Sequence, residues 1–105
     1  MYLTSYLQDS RLLISLSGEI DHHCAKDYIS AINAKLEVYT PKRCVLDFTD
    51  VSFMDSSGIA VVINALRYMD KLGGNLILSG LQDQPLRVFK AAGIDKLLDI
   101  EEVRI

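Results

Sequence analysis

The stretch FMDSSGIAVV, residues 53–62, sets Asp55, Ser56, Ser57 and Gly58 between two apolar runs. A hydroxyl beside a carboxylate suits a nucleophile, a phosphoacceptor or a helix cap. A second polar cluster, GEIDHHC at 18–24, brings together Glu19, Asp21, His22, His23 and Cys24 behind Gly18. Serine with histidine raises nucleophilic catalysis, which needs a base within hydrogen-bond reach and an oxyanion hole. There is no GxSxG elbow, and only His22 or His23 is placed to approach Ser57. His22, His23 and Cys24 raise metal binding, but three consecutive side chains at a helix start point apart and rarely converge on one ion. Neither GxGxxG nor a Walker lysine motif is present, which argues against a nucleotide-binding enzyme.

The elements that must position these groups follow from periodicity. Residues 1–7 alternate loosely, and Gln8, Asp9 and Ser10 give a polar turn. Leu12, Ile14 and Leu16 share one face of a strand over 11–17, so the two strands form a hairpin that Gly18 ends. Asp21 is placed to cap a helix on which Ala25, Ile29, Ile32 and Leu36 recur at helical spacing, ending before Pro41. VLDF (45–48) is a buried strand. Residues 57–72 form a second helix with Ile59, Val62, Ile63, Leu66 and Met69 inward, stopped by Gly73 and Gly74. LILS (76–79) is a strand, Asp83 caps a short helix bearing Leu86, Phe89 and Ala92, and a last strand lies near 97–101. The order ββαβαβαβ implies an α/β fold with a mixed, mostly parallel sheet of four to five strands.

Composition sets the class. A chain of 105 residues, 1–105, fits one domain. The net charge is −3 with Lys and Arg scattered, so no basic patch points to direct nucleic-acid binding. No apolar run reaches membrane-span length and no signal peptide opens the chain, so a soluble cytoplasmic protein is expected. Cys24 and Cys44 form no CxxC pair and are expected to be buried, reduced thiols.

In such sheets functional residues gather where strands end and helices begin. GEID and MDSSG both lie there and become neighbours if their strands are adjacent. Asp55 or Ser56 can cap the second helix, with Ser56 the favoured cap, leaving Ser57 in its first turn. Gly58 removes side-chain bulk beside it and is expected to let another backbone approach closely. A helix N-terminus favours an anion, so a phosphate on Ser57 would be tolerated and would add about −1.5 to −2 charge units to an exposed edge. From the residues alone, however, DSSG reads first as an ordinary capped strand-to-helix turn, and that reading outweighs the phosphate switch.

GEIDHH (18–23), VLDFTDVSFMDSSG (45–58), GGNLILSG (73–80) and LRVFKAAGIDKLLDI (86–100) together resemble, in register over nearly the whole chain, the bacterial anti-sigma factor antagonists, which are small STAS domains. GEIDHH and SFMDSSG look most like the branch controlling the sporulation sigma factor F. The resemblance implies helices packed largely on one side of the sheet, no enzymatic activity and no cofactor or metal of its own. It implies a partner, an anti-sigma factor that is also a serine kinase and binds ATP itself, with no membrane association. Ser57 would be the phosphorylated residue, and a metal-dependent serine phosphatase would reverse the modification. Asp55 would orient the acceptor hydroxyl. Gly18, Glu19, Asp21, His22, His23, Met54, Asp55, Ser56, Ser57 and Gly58 would form the docking face. A STAS module of another system, in a stress scaffold or beside a transporter, shares the fold and the serine. Two departures stand out: Ile59-Ala60 replaces the common Leu-Gly after DSSG, and the chain ends at Ile105, where many members carry a fourth helix.

Overall fold

The computed structural model describes residues 2–101; expectations for Met1, and for the chain end where a fourth helix would lie, fall outside them. The order is β1 (Tyr2–Gln8), β2 (Arg11–Ile20), α1 (Ala25–Tyr39), β3 (Arg43–Met54), α2 (Ser57–Lys71), β4 (Asn75–Ser79), α3 (Asp83–Ala91), a 3₁₀ turn at Ile94–Lys96 and β5 (Asp99–Glu101). The five strands lie in sequence order. β1 and β2 form the antiparallel hairpin, and every later neighbour is parallel. This is the expected mixed sheet, and its simple order follows because each crossover helix returns the chain one strand further along.

The core sits on one face. Leu12, Ile14 and Leu16 of β2, Cys44, Leu46 and Phe48 of β3, and Leu76 and Leu78 of β4 meet Tyr28, Ile32 and Leu36 of α1, Val61, Val62, Ala65 and Met69 of α2, and Phe89 of α3. Phe48 and Phe89 pack edge to face with centroids 5.5 Å apart, a favoured aromatic geometry. All three helices therefore cover the same side of the sheet. Burial at about 25 cal/mol per Å² of apolar area is the main driving force.

Several local expectations shift. The inner stripe of α2 is Gly58, Val61, Val62, Ala65 and Met69, while Ile59, Ile63 and Leu66 are only partly covered. The helix packs against α1 as well as β3 and β4, so apolar residues also face its sides. In α1 the large buried anchor is Tyr28, its hydroxyl donating to the Ser17 carbonyl at 2.6 Å; Ile29 lies beside the stripe. In α3, Pro85 and Phe89 are buried and Ala92 is exposed. Gln82, not Asp83, holds the N-cap position of α3. Gly18 does not end β2. It takes φ +101°, which only glycine adopts readily, and sits in an irregular stretch that carries β2 on to Ile20. Cys44 is buried and free; Cys24 is free but only partly buried.

Candidate functional site

Adjacent parallel strands bring the two polar loops together. β2 and β3 stay paired to Ile20 and Met54, and the Asp55 N–H donates to the Ile20 carbonyl at 3.0 Å. β3 is seven residues longer than its pairing with β4, which stops at Asp47 and Ser79. The free edge near its end is completed by a side chain instead. Gln84, in the first turn of α3, accepts from the Met54 N–H at 2.9 Å and donates Nε2 to the Met54 carbonyl at 2.8 Å. Its amide thus does the work of one residue of a neighbouring strand.

Asp55 is the hub. Its Oδ1 accepts from the Ser57 N–H at 2.8 Å and from the Ser57 hydroxyl. Its Oδ2 accepts from the His22 N–H at 3.2 Å, with His22 Nδ1 at 3.7 Å. The Ser57 hydroxyl first, then the Ser57 and His22 N–H groups, hold the Asp55 carboxyl below its ordinary range, since hydrogen bonds to the charged form favour it. Asp55 caps α2, and Ser56 makes no side-chain cap bond, so of the two candidate caps the structure selects the aspartate. Asp21 repeats the arrangement one loop away. Its Oδ1 accepts from the His23 and Cys24 N–H groups at 2.9 and 3.2 Å, capping the turn that leads into α1. Asp21 is also held below its ordinary value, first by its side-chain bond with Cys24 and then by those N–H groups. The Cys24 thiol donates to the Glu19 carbonyl at 3.2 Å, and partial burial raises its pKa.

Gly18, Glu19, His22, His23 and Ser56 are exposed, and Asp21, Asp55 and Ser57 are partly buried, so these eight share one accessible edge. Met54 and Gly58 do not belong to its surface. Met54 has no exposed area and Gly58 is buried, because the Met54 side chain lies directly under the glycine. A β-carbon at Gly58 would overlap Met54 Cγ and Sδ; the close approach that glycine allows is therefore to this side chain and not to an outside backbone. Ala60 is exposed on α2, so its methyl adds to the surface without crowding the core.

Two residues escaped the sequence reading. Gln84 carries no local signal, since its role depends on α3 meeting the end of β3. Phe53, 42% exposed and in register with Glu19, adds an apolar side chain to this accessible edge; its place in an alternating run ahead of the turn was the available clue.

The geometry disfavours a hydrolase. Asp55 lies between Ser57 and His22, so the hydroxyl faces a carboxylate and not an imidazole base. His22 and His23 stack on each other with centroids 4.0 Å apart, and among the described residues no three His, Cys, Asp or Glu side chains converge as metal ligands. No helix among them is long and apolar enough to cross a membrane.

Comparison with known proteins agrees with this arrangement. The STAS domain family matches residues 2–104. The anti-sigma-B factor antagonist of Listeria monocytogenes is 33% identical over 93 residues, covering 86% of this chain and 78% of its own. The anti-sigma F factor antagonist of Lysinibacillus sphaericus is 30% identical over 83 residues, 79% and 71% of the two chains. The anti-sigma factor antagonist SpoIIAA in its unphosphorylated form superposes with a TM-score of 0.83 at 23% identity, covering 98% of this chain and 89% of that one. Its phosphorylated form, from Bacillus, gives 0.75 at the same identity, covering 98% and 92%. Antagonists of this kind are regulatory binding proteins and not enzymes. With the family matched from residue 2 to residue 104 and a relative one-third identical over most of both chains, the protein belongs to the STAS domain family of the anti-sigma factor antagonists.

Proposed function

We propose that this protein is an anti-anti-sigma factor that binds an anti-sigma factor with serine kinase activity, frees a sigma factor, and is switched off by phosphorylation of Ser57. The observation that carries this reading is the Ser57 hydroxyl, held by Asp55 at the accessible junction of two strand-to-helix loops. Gly18, Glu19, Asp21, His22, His23, Asp55, Ser56 and Ser57, with Phe53 added, form the docking face; Met54 and Gly58 support it from below.

The γ-phosphoryl group of the partner's ATP passes to Ser57 Oγ: a new O–P bond forms, the bond to the ADP oxygen breaks, and the hydroxyl proton leaves through Asp55 to water. Phosphoryl transfer asks mostly for positioning. Asp55, with its lowered pKa, is a weak base at neutral pH, so its main part is to aim the hydroxyl. After transfer the hydroxyl bond to Asp55 is gone and a group of about −1.5 to −2 charge stands beside a carboxylate. The nearby helix N–H groups are already engaged: Ser57 with Asp55 Oδ1, Gly58 with the Asp55 carbonyl, Ile59 with the Ser56 carbonyl. The phosphate is therefore left facing the docking edge, where Glu19, Asp21 and Asp55 already concentrate negative charge. A partner packed there loses its contacts. A metal-dependent serine phosphatase restores the hydroxyl. The named relatives, antagonists of anti-sigma-B and anti-sigma F factors, support the role, and the phosphorylated SpoIIAA supports the switch.

Incubation with the anti-sigma kinases of the host and ATP, followed by mass spectrometry, tests the reading. One phosphate on Ser57 is expected; modification of Ser56 alone refutes the assignment. Ser57→Ala keeps binding and stays permanently active, whereas Ser57→Asp folds, as seen by circular dichroism, and binds weakly.

A further inference from the structure

Arg11, Lys42 and Arg43 are far apart in the chain, and the fold brings them to one end of the sheet, where β2, β3 and β4 begin. An open cleft of about 290 Å³ there is lined by Ser10, Arg11, Lys42, Arg43 and Asn75. All five side chains carry hydrogen-bond donors, three carry positive charge, and no carboxylate lines the cleft. Register places Arg11 directly opposite Arg43 on the adjacent strand, with Asn75 opposite Arg43 on its other side. Like charges so placed repel and cost stability. Among the described residues none of the three cations forms an ion pair, although the whole chain carries a net charge of −3. The backbone beneath them is tied together. The Ser10 carbonyl accepts from the Lys42 and Arg43 N–H groups at 2.9 and 3.1 Å, and the Lys42 carbonyl accepts from the Asn75 N–H at 3.1 Å. Gly74 leaves room for that carbonyl, which a β-carbon would meet at 2.5 Å. Three turns thus form one platform, and the five lining residues stand exposed on it.

We propose that this cleft binds a small phosphate-type dianion, as inorganic phosphate or as the phosphate of a small monoester. Two guanidinium groups mounted about 4.8 Å apart each offer a planar fork to a pair of oxygens, and the Lys42 ammonium adds a point charge. A tetrahedral dianion has oxygens enough for both forks and the ammonium. A carboxylate, with two oxygens and one charge, does not. The Ser10 hydroxyl and the Asn75 amide supply further donors. A monoester phosphate carries about −1.5 to −2 charge units at neutral pH, enough to offset the Arg11–Arg43 repulsion. An extended polyanion would need a basic strip, but the row passes from Arg11 to Gln8 on one side and from Arg43 to Asn75 on the other, so the charge ends with the cleft. Because the cleft is open, an ester tail can leave it towards solvent. The ten residues of β2 from Arg11 to Ile20 span roughly 30 Å, so the anion does not compete with a partner at the Ser57 edge. The contacts are exposed and individually weak, which sets a dissociation constant on the order of 1 mM.

Amide NMR titrations at constant ionic strength and neutral pH test this, with sodium phosphate, glycerol phosphate and sodium acetate as the added salts. Phosphate shifts the amides of Ser10, Arg11, Lys42, Arg43 and Asn75 saturably and leaves those around Ser57 in place, whereas acetate shifts neither group. Saturation by glycerol phosphate as well as phosphate supports the site with a monoester as its ligand, and saturation by phosphate alone supports it with the free ion. Arg11→Gln weakens either about tenfold. Thermal unfolding supplies a second reading. Phosphate at tenfold its dissociation constant raises the wild-type midpoint by about 5 °C and that of Arg11→Gln by less than half as much. Without phosphate and at low salt, Arg11→Gln melts at or above the wild type, because the like-charge pair is gone. The absence of a saturable shift at about 20 mM phosphate overturns the proposal. Shifts equally large with acetate, which report screening alone, overturn it too. So does an Arg11→Gln variant that binds phosphate as the wild type does, or one that melts well below it, since Arg11 would then serve the fold.

Discussion

Asp55 decides how the site behaves, because one carboxylate caps α2, holds the Ser57 hydroxyl and ties in the His22 loop. These bonds keep it ionised to lower pH than an ordinary aspartate. Its folded-state pKa lies below the unfolded value of about 3.9, so its stabilising contribution is fully present above that value and is lost as pH falls through the folded pKa. The thermal midpoint of the wild-type protein should therefore fall more steeply below about pH 4 than that of Asp55→Asn, which keeps the acceptor oxygen but cannot titrate. Superimposable acid profiles would show that the carboxylate charge contributes nothing. The sequence showed that Asp55 and Ser57 lie two apart before a helix. It favoured Ser56 over Asp55 as the cap, and the structure reverses this, because both side chains can reach the same N–H groups and only the backbone turn at 55–57 selects between them.

The end of β3 is the element on which the site is mounted, and it projects beyond its β4 partner. Gln84 closes that gap with two bonds to Met54. Gln84→Ala should cost about 1–3 kcal/mol in denaturant unfolding, because it leaves a partly buried N–H and carbonyl unpaired. Amide exchange at Met54 and Asp55 should rise with it, and unchanged protection there would mean that the strand end holds itself. Gly58 is the second support. Gly58→Ala should destabilise the fold by about 1–3 kcal/mol, since the added methyl must displace the buried Met54 side chain. A neutral result in equilibrium unfolding would mean that Met54 repacks freely. Helical propensity alone would favour alanine here, so the sign of the change separates packing from propensity. Glycine after DSS was visible in the sequence, but that it makes room for Met54 was not.

Among the described residues, the helices stack on one face of the sheet, and the loop edge around Ser57 lies apart from the opposite face. The core is continuous, and Cys44 within it is fully buried. Burial pushes its thiol up to about 12, so almost none is thiolate at pH 8. A thiol reagent should label Cys24 in the native protein and reach Cys44 only in denaturant, as read by mass spectrometry. Labelling of Cys44 at native conditions, at the rate seen for Cys24, would reveal opening of the β2–β3–β4 centre.

Alternation and helical spacing determined the eight main elements, their order and the α/β class, because burying one face of each element imposes a period on the chain that any reader can count. The juxtaposition of GEIDHH with MDSSG followed from parallel neighbours ending on the same side of a sheet. The tertiary structure alone decided the reach of β2 and β3 past Gly18 and Phe48, the rotation of α2, the burial of Met54 and Gly58, and the part played by Gln84. The strand extensions and Gln84 depend on contacts between residues some 30 positions apart, and the rotation of α2 and the side chain lying under Gly58 depend on how the helix packs, which no local pattern encodes.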